Sequence, residues 1–210
     1  MKPCIVLMGA QHVGKTTLGK GLAEKLGVPF YDTDQMVTKT FKKHICVFAA
    51  EGGQEGYNWA ETEMSKRLVA EYKNSAPISA VISTGSGFWA DDTGIAELRK
   101  IGSLYWIDGD IELGAQRLME EATTDPAKIN PYLIKNGEFY NVYFSVPEVK
   151  KLEDIRKHHL ELTLPSLGVY ESLADVVVRP GDASVEENVQ LLYDSIVWDD
   201  NAKSNYRKAV

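Results

Sequence analysis

Eight consecutive residues, Gly9-Ala10-Gln11-His12-Val13-Gly14-Lys15-Thr16, carry the spacing G-x-x-x-x-G-K-[ST] of a phosphate cradle. The glycines let successive backbone N–H groups turn inward onto phosphate oxygens, where a side chain would block the approach. Lys15 then reaches the β- and γ-phosphates, and the Thr16 hydroxyl helps to hold Mg²⁺. The helix that follows adds its unpaired amides and positive dipole end. The pattern predicts a bound nucleoside triphosphate, with Gly9, Val13, Gly14, Lys15, Thr16 and Thr17 as its phosphate contacts. His12, inside the loop, is expected to face solvent.

A second chemistry-bearing group is Asp32-Thr33-Asp34, two acids at the end of a short apolar run. Two carboxylates beside a phosphate loop suit a metal and a phosphoryl acceptor. The plainer reading is a helix N-cap, supplied by Thr33 or Asp34. Thr84-Gly85-Ser86-Gly87 is a glycine-rich loop that leaves another apolar run. Tyr57, Trp59 and Trp89 are candidates for an apolar wall, although aromatic residues at helical spacing are more often core. Asp108 is expected to open a helix.

Positioning these groups requires strands that end beside one another. Cys4–Met8 reads as a buried strand feeding the phosphate loop. Leu18, Leu22 and Leu26 give a helix over Thr17–Leu26, stopped by Gly27. A second strand leads through Phe30 and Tyr31 to the acids, and a helix follows with Met36, Val37 and Phe41. A helical turn at Ile45–Ala50 is broken by Gly52-Gly53, and a longer helix is expected over Tyr57–Tyr72. Pro77–Ser83 is a third strand, Ile95–Ile101 a helix, Leu104–Asp108 a fourth strand and Asp110–Glu121 a helix. Ala122–Lys151 holds Pro126, Asn130-Pro131, Asn136-Gly137 and Pro147, the composition of a mobile insertion rather than core. A helix from about Leu152, a fifth strand at Ala174–Val178 and an amphipathic helix over Ser184–Val197 complete the pattern. Alternating buried strands and helices predict an α/β fold, a five-stranded parallel sheet covered on both faces. Ligands in such sheets sit outside the carboxyl ends of the strands, where the three loops fall.

The chain has 210 residues, 44% hydrophobic and 25% charged, which suits one domain over residues 1–198 and a polar tail over 199–210. A net charge of −7 excludes a basic surface for nucleic acid or an anionic membrane. Two cysteines, Cys4 and Cys46, make no disulfide framework. No apolar run approaches the roughly 20 residues that span a bilayer, and no signal peptide is evident. A cytoplasmic monomer is expected.

The order of phosphate loop, D-T-D after Pro29-Phe30-Tyr31, the G-[EQ]-x-x-[FY] segment at Gly53–Tyr57 and a G-x-G loop resembles the shikimate kinase family, from Ile5 to about Leu192. The resemblance implies a P-loop fold of the nucleoside-monophosphate-kinase type with a lid, here about 122–151. It implies transfer of the ATP γ-phosphoryl to a hydroxyl of a small cyclic acid. Carried over by position, Thr16 would coordinate Mg²⁺ and Asp32 would hold one of its waters. Lys15 and Asp34 would be catalytic, with Asp34 orienting or deprotonating the attacking hydroxyl. Tyr57, Asn58, Gly85, Ser86 and Gly87 would line the acceptor site. Arg117 and Arg179-Pro180 would flank adenine, and Glu61 would be a structural acid. The chain departs from the family at three arginines, represented here by Asn58, Asn130 and Ser166, the last four residues before the matching Tyr170. In the family the first and third grip the substrate carboxylate, and a buried charge without its partner costs roughly 3–5 kcal/mol. Lys135, Lys150, Lys151, Arg156, Lys157, His158 and His159 are candidate substitutes, although such a cluster more often marks a solvated helix face. The alternatives are the same chemistry on a different hydroxylated acceptor and a nucleotide-binding regulatory module without catalysis.

Overall fold

The computed structural model describes residues 2–124, 132–135, 138–141 and 152–196. Its strands are β1 (Cys4–Met8), β2 (Phe30–Asp32), β3 (Ala80–Ser83), β4 (Gly102–Ile107), β5 (Tyr132–Lys135), β6 (Glu138–Asn141) and β7 (Val176–Val178). Its helices are α1 (Lys15–Leu26), α2 (Thr33–Phe41), α3 (Ile45–Tyr72), α4 (Asp92–Ile101), α5 (Ile111–Thr124), α6 (Leu152–Leu173) and α7 (Val185–Asp194). Five strands form one parallel sheet in the order β2-β3-β1-β4-β7.

The alternation of side chains along β1 explains both layers. Ile5 and Leu7 face one core with Leu18 and Leu22 of α1 and Val189 and Leu192 of α7. Cys4, Val6 and Met8 face the other, with Leu68 of α3, Leu98 of α4 and Tyr170 of α6. All five β1 residues are buried, as a central parallel strand requires. Among the described residues no helix is long and apolar enough to cross a membrane.

Several boundaries differ from the sequence expectation. α1 begins at Lys15 rather than Thr17, because Gly14 at φ 99° already serves as its N-cap. Ile78 sits at φ 54°, so β3 starts at Ala80 instead of Pro77. Gly53, at φ 59° and ψ −147°, kinks α3 at the expected glycine pair, but helix resumes before Tyr57. Asp32, rather than Thr33 or Asp34, caps α2 by accepting from the Gln35 N–H. Asp110, rather than Asp108, opens α5, accepting from the N–H groups of Glu112 and Leu113. Within the expected insertion, β5 and β6 pair antiparallel. The sequence pattern had marked its turn residues but no strands.

Candidate active site

Strand order brings three loops to one edge. β1 ends in the phosphate loop, and its neighbour β3 ends in Thr84–Gly87. β2, on the far side of β3, ends at Asp32. They surround a cleft of about 850 Å³ whose lining includes Lys15, Thr16, Asp32, Asp34, Gly85 and Arg117. Gln11 through Leu18, Thr84, Ser86, His44 and Pro180 line it as well.

The phosphate loop has the backbone its sequence demands. Gly9 and Gly14 take φ of 148° and 99°, and a Cβ on Gly9 would lie 2.7 Å from the Ile107 carbonyl oxygen. Lys15 Nζ donates to the carbonyls of Gly9 (2.9 Å) and Ala10 (2.7 Å). Burial lowers the lysine pKa to about 8, against the pull of Asp34, Asp32 and Glu61. The Thr16 hydroxyl donates to Asp32 Oδ2 at 2.9 Å, so two hard oxygen donors meet beside the loop. His12 does not simply face solvent: at φ 59° its Nε2 lies 3.5 Å from Glu121 Oε2. Its carbonyl accepts from Arg117 Nη1 at 2.8 Å. Arg179 donates from Nε to Asp108 at 3.0 Å, and Pro180 follows it along the cleft wall.

Across the cleft, Glu61 is wholly buried. Its Oε1 accepts from the Thr33 hydroxyl (3.1 Å), the Tyr57 hydroxyl (3.2 Å) and the Gly85 N–H (3.0 Å). The Tyr57 oxygen in turn accepts from the Gly87 N–H at 3.3 Å. α3 therefore holds the glycine loop by its backbone. A Cβ on Gly85 would lie 2.1 Å from the Tyr57 oxygen, 2.3 Å from Glu61 Oε1 and 2.7 Å from Asp34 Oδ1. Burial, then the charge of Asp34, raises the Glu61 pKa well above the carboxylate range. Burial and Asp32 push Asp34 up to about 6, while Lys15 pulls it down. Asp34 Oδ1 and Glu61 Oε2 are both buried, and a hydrogen bond between the two carboxyls, with Glu61 protonated, favours the ionised form of Asp34.

The residues at the family's arginine positions are engaged internally. Asn58 Nδ2 donates to the Ala90 carbonyl at 2.8 Å, and its Oδ1 accepts from Gln54 at 2.7 Å. Ser166 is buried and donates to the Thr163 carbonyl at 2.7 Å. Asn130, Lys150 and Lys151 lie outside the described residues, as does the Lys135 side chain. Arg156 pairs with Glu112 at 2.7 Å, and Lys157 lies 3.7 Å from Glu161, on an exposed helix face. His159 departs from that face and is buried. Trp59, proposed for the pocket wall, is half exposed and packs on Phe41 and Phe48.

Sequence reasoning gave no role to two residues of the site. His44 caps α3, its Nδ1 accepting from the Cys46 N–H, and lines the cleft. Tyr170 reaches from α6 to the carbonyls of Gly9 (3.1 Å) and Ser86 (2.5 Å). No local signal announces either, because the tyrosine's partners lie 161 and 84 residues away.

A parallel five-stranded sheet whose first strand runs into a phosphate loop, with acids across the same cleft, defines a P-loop protein of the nucleoside-monophosphate-kinase-like class. The family model described as shikimate kinase matches residues 8–196, and the chain belongs to the shikimate kinase family. A shikimate kinase from Persephonella marina is 34% identical over 153 residues, covering 73% of this chain and 80% of that one. In fold, the chain is similar to shikimate kinase from Bacteroides thetaiotaomicron (TM-score 0.67, 22% identity, 92% and 98% covered). It is also similar to the Acinetobacter baumannii shikimate kinase in complex with shikimate (TM-score 0.65, 20% identity, 92% of each chain). Membership places the chain among ATP-binding small-molecule kinases.

Proposed function

We propose that this protein transfers the γ-phosphoryl group of ATP to a hydroxyl of a small hydroxylated acid, with shikimate the first acceptor to test. The observation that carries the reading is a single cleft lined by both Lys15 and Asp34. The site fits the groups its family implies. Gly9 and Gly14 hold the positive φ that turns loop amides towards a phosphate, and Thr16 with Asp32 offers oxygen donors for Mg²⁺. Bound there, Mg²⁺ would offset negative charge on the phosphates.

Lys15 turns its ammonium from the loop carbonyls to the phosphate oxygens. Asp34 accepts a hydrogen bond from the acceptor hydroxyl, orients it in line with the γ-phosphorus and takes its proton as the new O–P bond forms. The bond to the β-phosphate oxygen breaks and ADP leaves. Gly85 and Ser86 bring backbone close to the acceptor. The shikimate held by the Acinetobacter relative supports the choice of first acceptor.

A second reading changes the acceptor and keeps the chemistry, favoured by the neutral, internally bonded Asn58 and Ser166. ADP release coupled to a spectroscopic assay, with shikimate, quinate and gluconate in parallel, tests both. Saturable turnover of shikimate at micromolar to low millimolar KM, about the common enzyme range, defeats the second reading. Tight nucleotide binding with no Asp34-dependent ADP release on any acceptor defeats catalysis and leaves a regulatory module.

A further inference from the structure

We infer that the Tyr170 hydroxyl is a positioning group that couples the phosphate loop to the acceptor-side loop by dividing one proton between the Gly9 and Ser86 carbonyls. The inference rests on the phosphoryl-transfer reading. Tyr170 is fully buried, and its ring stacks on Trp106 with centroids 6.2 Å apart and planes 16° apart, so the phenol is held in place. Its oxygen stands 2.5 Å from Ser86 O and 3.1 Å from Gly9 O. A phenol has one proton to donate, and two carbonyls face it. Burial pushes the phenol pKa up, which keeps that proton on the oxygen.

Gly9 O has a second donor, Lys15 Nζ at 2.9 Å. With Lys15 serving Gly9 O, the shorter contact takes the phenolic proton to Ser86 O. A Lys15 that swings to a phosphate withdraws from Gly9 O, and the Tyr170 proton moves towards the carbonyl left short of a donor. Ser86 O then loses its tether. Its neighbours Gly85 and Gly87 remain held through their N–H groups by Glu61, Thr33 and Tyr57. The freed carbonyl lowers the cost of opening the loop, so the bonds of these amides break and re-form more often. Engagement of the nucleotide is thereby passed to the loop beside Asp34 through one hydroxyl. No covalent bond breaks: the hydroxyl turns about its C–O bond and the proton stays on the phenol oxygen.

Amide hydrogen exchange over residues 84–88 reads this coupling, with and without Mg·ADP, in the full chain. In the wild type, Mg·ADP is expected to speed exchange there by about threefold or more. Tyr170→Phe keeps the stacked ring but leaves a buried carbonyl short of a donor, so its Tm falls by roughly 2–10 °C while its ADP Kd stays within about threefold of wild type. Its loop exchange is already fast without nucleotide, and Mg·ADP changes it by less than about 1.5-fold. Lys15→Met provides a nucleotide-free check: Gly9 O loses its lysine, and exchange at 84–88 rises without ADP. A Phe variant that responds to ADP like the wild type overturns the coupling. So does a wild-type loop indifferent to bound ADP, or a Met variant whose loop is unchanged. Failure of the wild type to bind ADP at all sinks the phosphoryl-transfer reading and takes this inference with it. ADP binding without a loop response sinks the coupling alone.

Discussion

Asp34 carries the proton-accepting role, and its surroundings bear on how well it can do so. It begins the first turn of α2, near the positive end of the helix dipole, with Lys15 across the cleft and Asp32 two residues before it. Its carboxyl lines the cleft beside Glu61, which hydrogen-bonds to it and favours its ionised form. Asp34→Asn is expected to lower kcat by about 10²–10⁴-fold, the usual contribution of a general base. The KM for ATP should stay near its wild-type value, since the phosphate loop is untouched. Steady-state kinetics on the acceptor that gives turnover check this, and an Asn variant with near-normal kcat would remove Asp34 from the chemistry. The type and place of this residue were readable in the sequence, because strand ends and helix starts leave a local signature. Its pairing with Glu61, 27 positions along the chain, was not, because that contact exists only once α3 folds back on α2.

At the scale of elements, α3 and the loop after β3 form one unit. The Gly85 N–H is shared between Glu61 and the Thr33 hydroxyl, and Tyr57 grips Gly87. The glycine at 85 is required by this close approach rather than by an unusual φ. Gly85→Ala would drive a methyl group onto the Tyr57 and Glu61 oxygens, and overpacking of this kind costs about 1–3 kcal/mol. The expected result is a lower denaturant midpoint with an unchanged m-value, together with weaker acceptor binding. An Ala variant of full stability would mean that the loop moves freely. The repeating elements themselves were legible because strands buried on both faces write short continuous apolar runs, and amphipathic helices a 3.6-residue period, into the chain. Boundaries shifted where backbone geometry intervened. Ile78 at positive φ shortened β3, and Gly14 brought the start of α1 forward to Lys15.

Over the whole molecule, the junction of α5, α6 and the phosphate loop stores a pH dependence. His159 is buried, its Nε2 without a hydrogen-bond partner among the described residues and 3.6 Å from the Cβ position of Gly114. Burial, then His12 and His158, lowers its pKa to about 4, opposed only in part by Glu112. The unfolded chain binds this proton at about pH 6.5, so between those values it holds more protons than the folded chain. Stability is therefore lost as pH falls from about 6.5 to about 4, by up to about 2–3 kcal/mol from this group. His159→Leu should flatten that part of the profile. Urea unfolding at pH 7 and pH 4.5, on both proteins, measures the difference, and equal acid sensitivity would clear His159 of the effect.

The phosphate loop, the acids at the end of β2, the five parallel strands and the helices between them were set by the chain read alone. Each is encoded by residues within a few positions of one another, where spacing and side-chain type suffice. Tertiary structure decided the rest: Glu61 under the glycine loop, Tyr170 between the Gly9 and Ser86 carbonyls, His44 on the cleft wall, and Asn58 and Ser166 turned to internal partners. Those contacts join segments that meet only when helices pack on both faces of the sheet, and no local period records which distant side chain will fill a given gap.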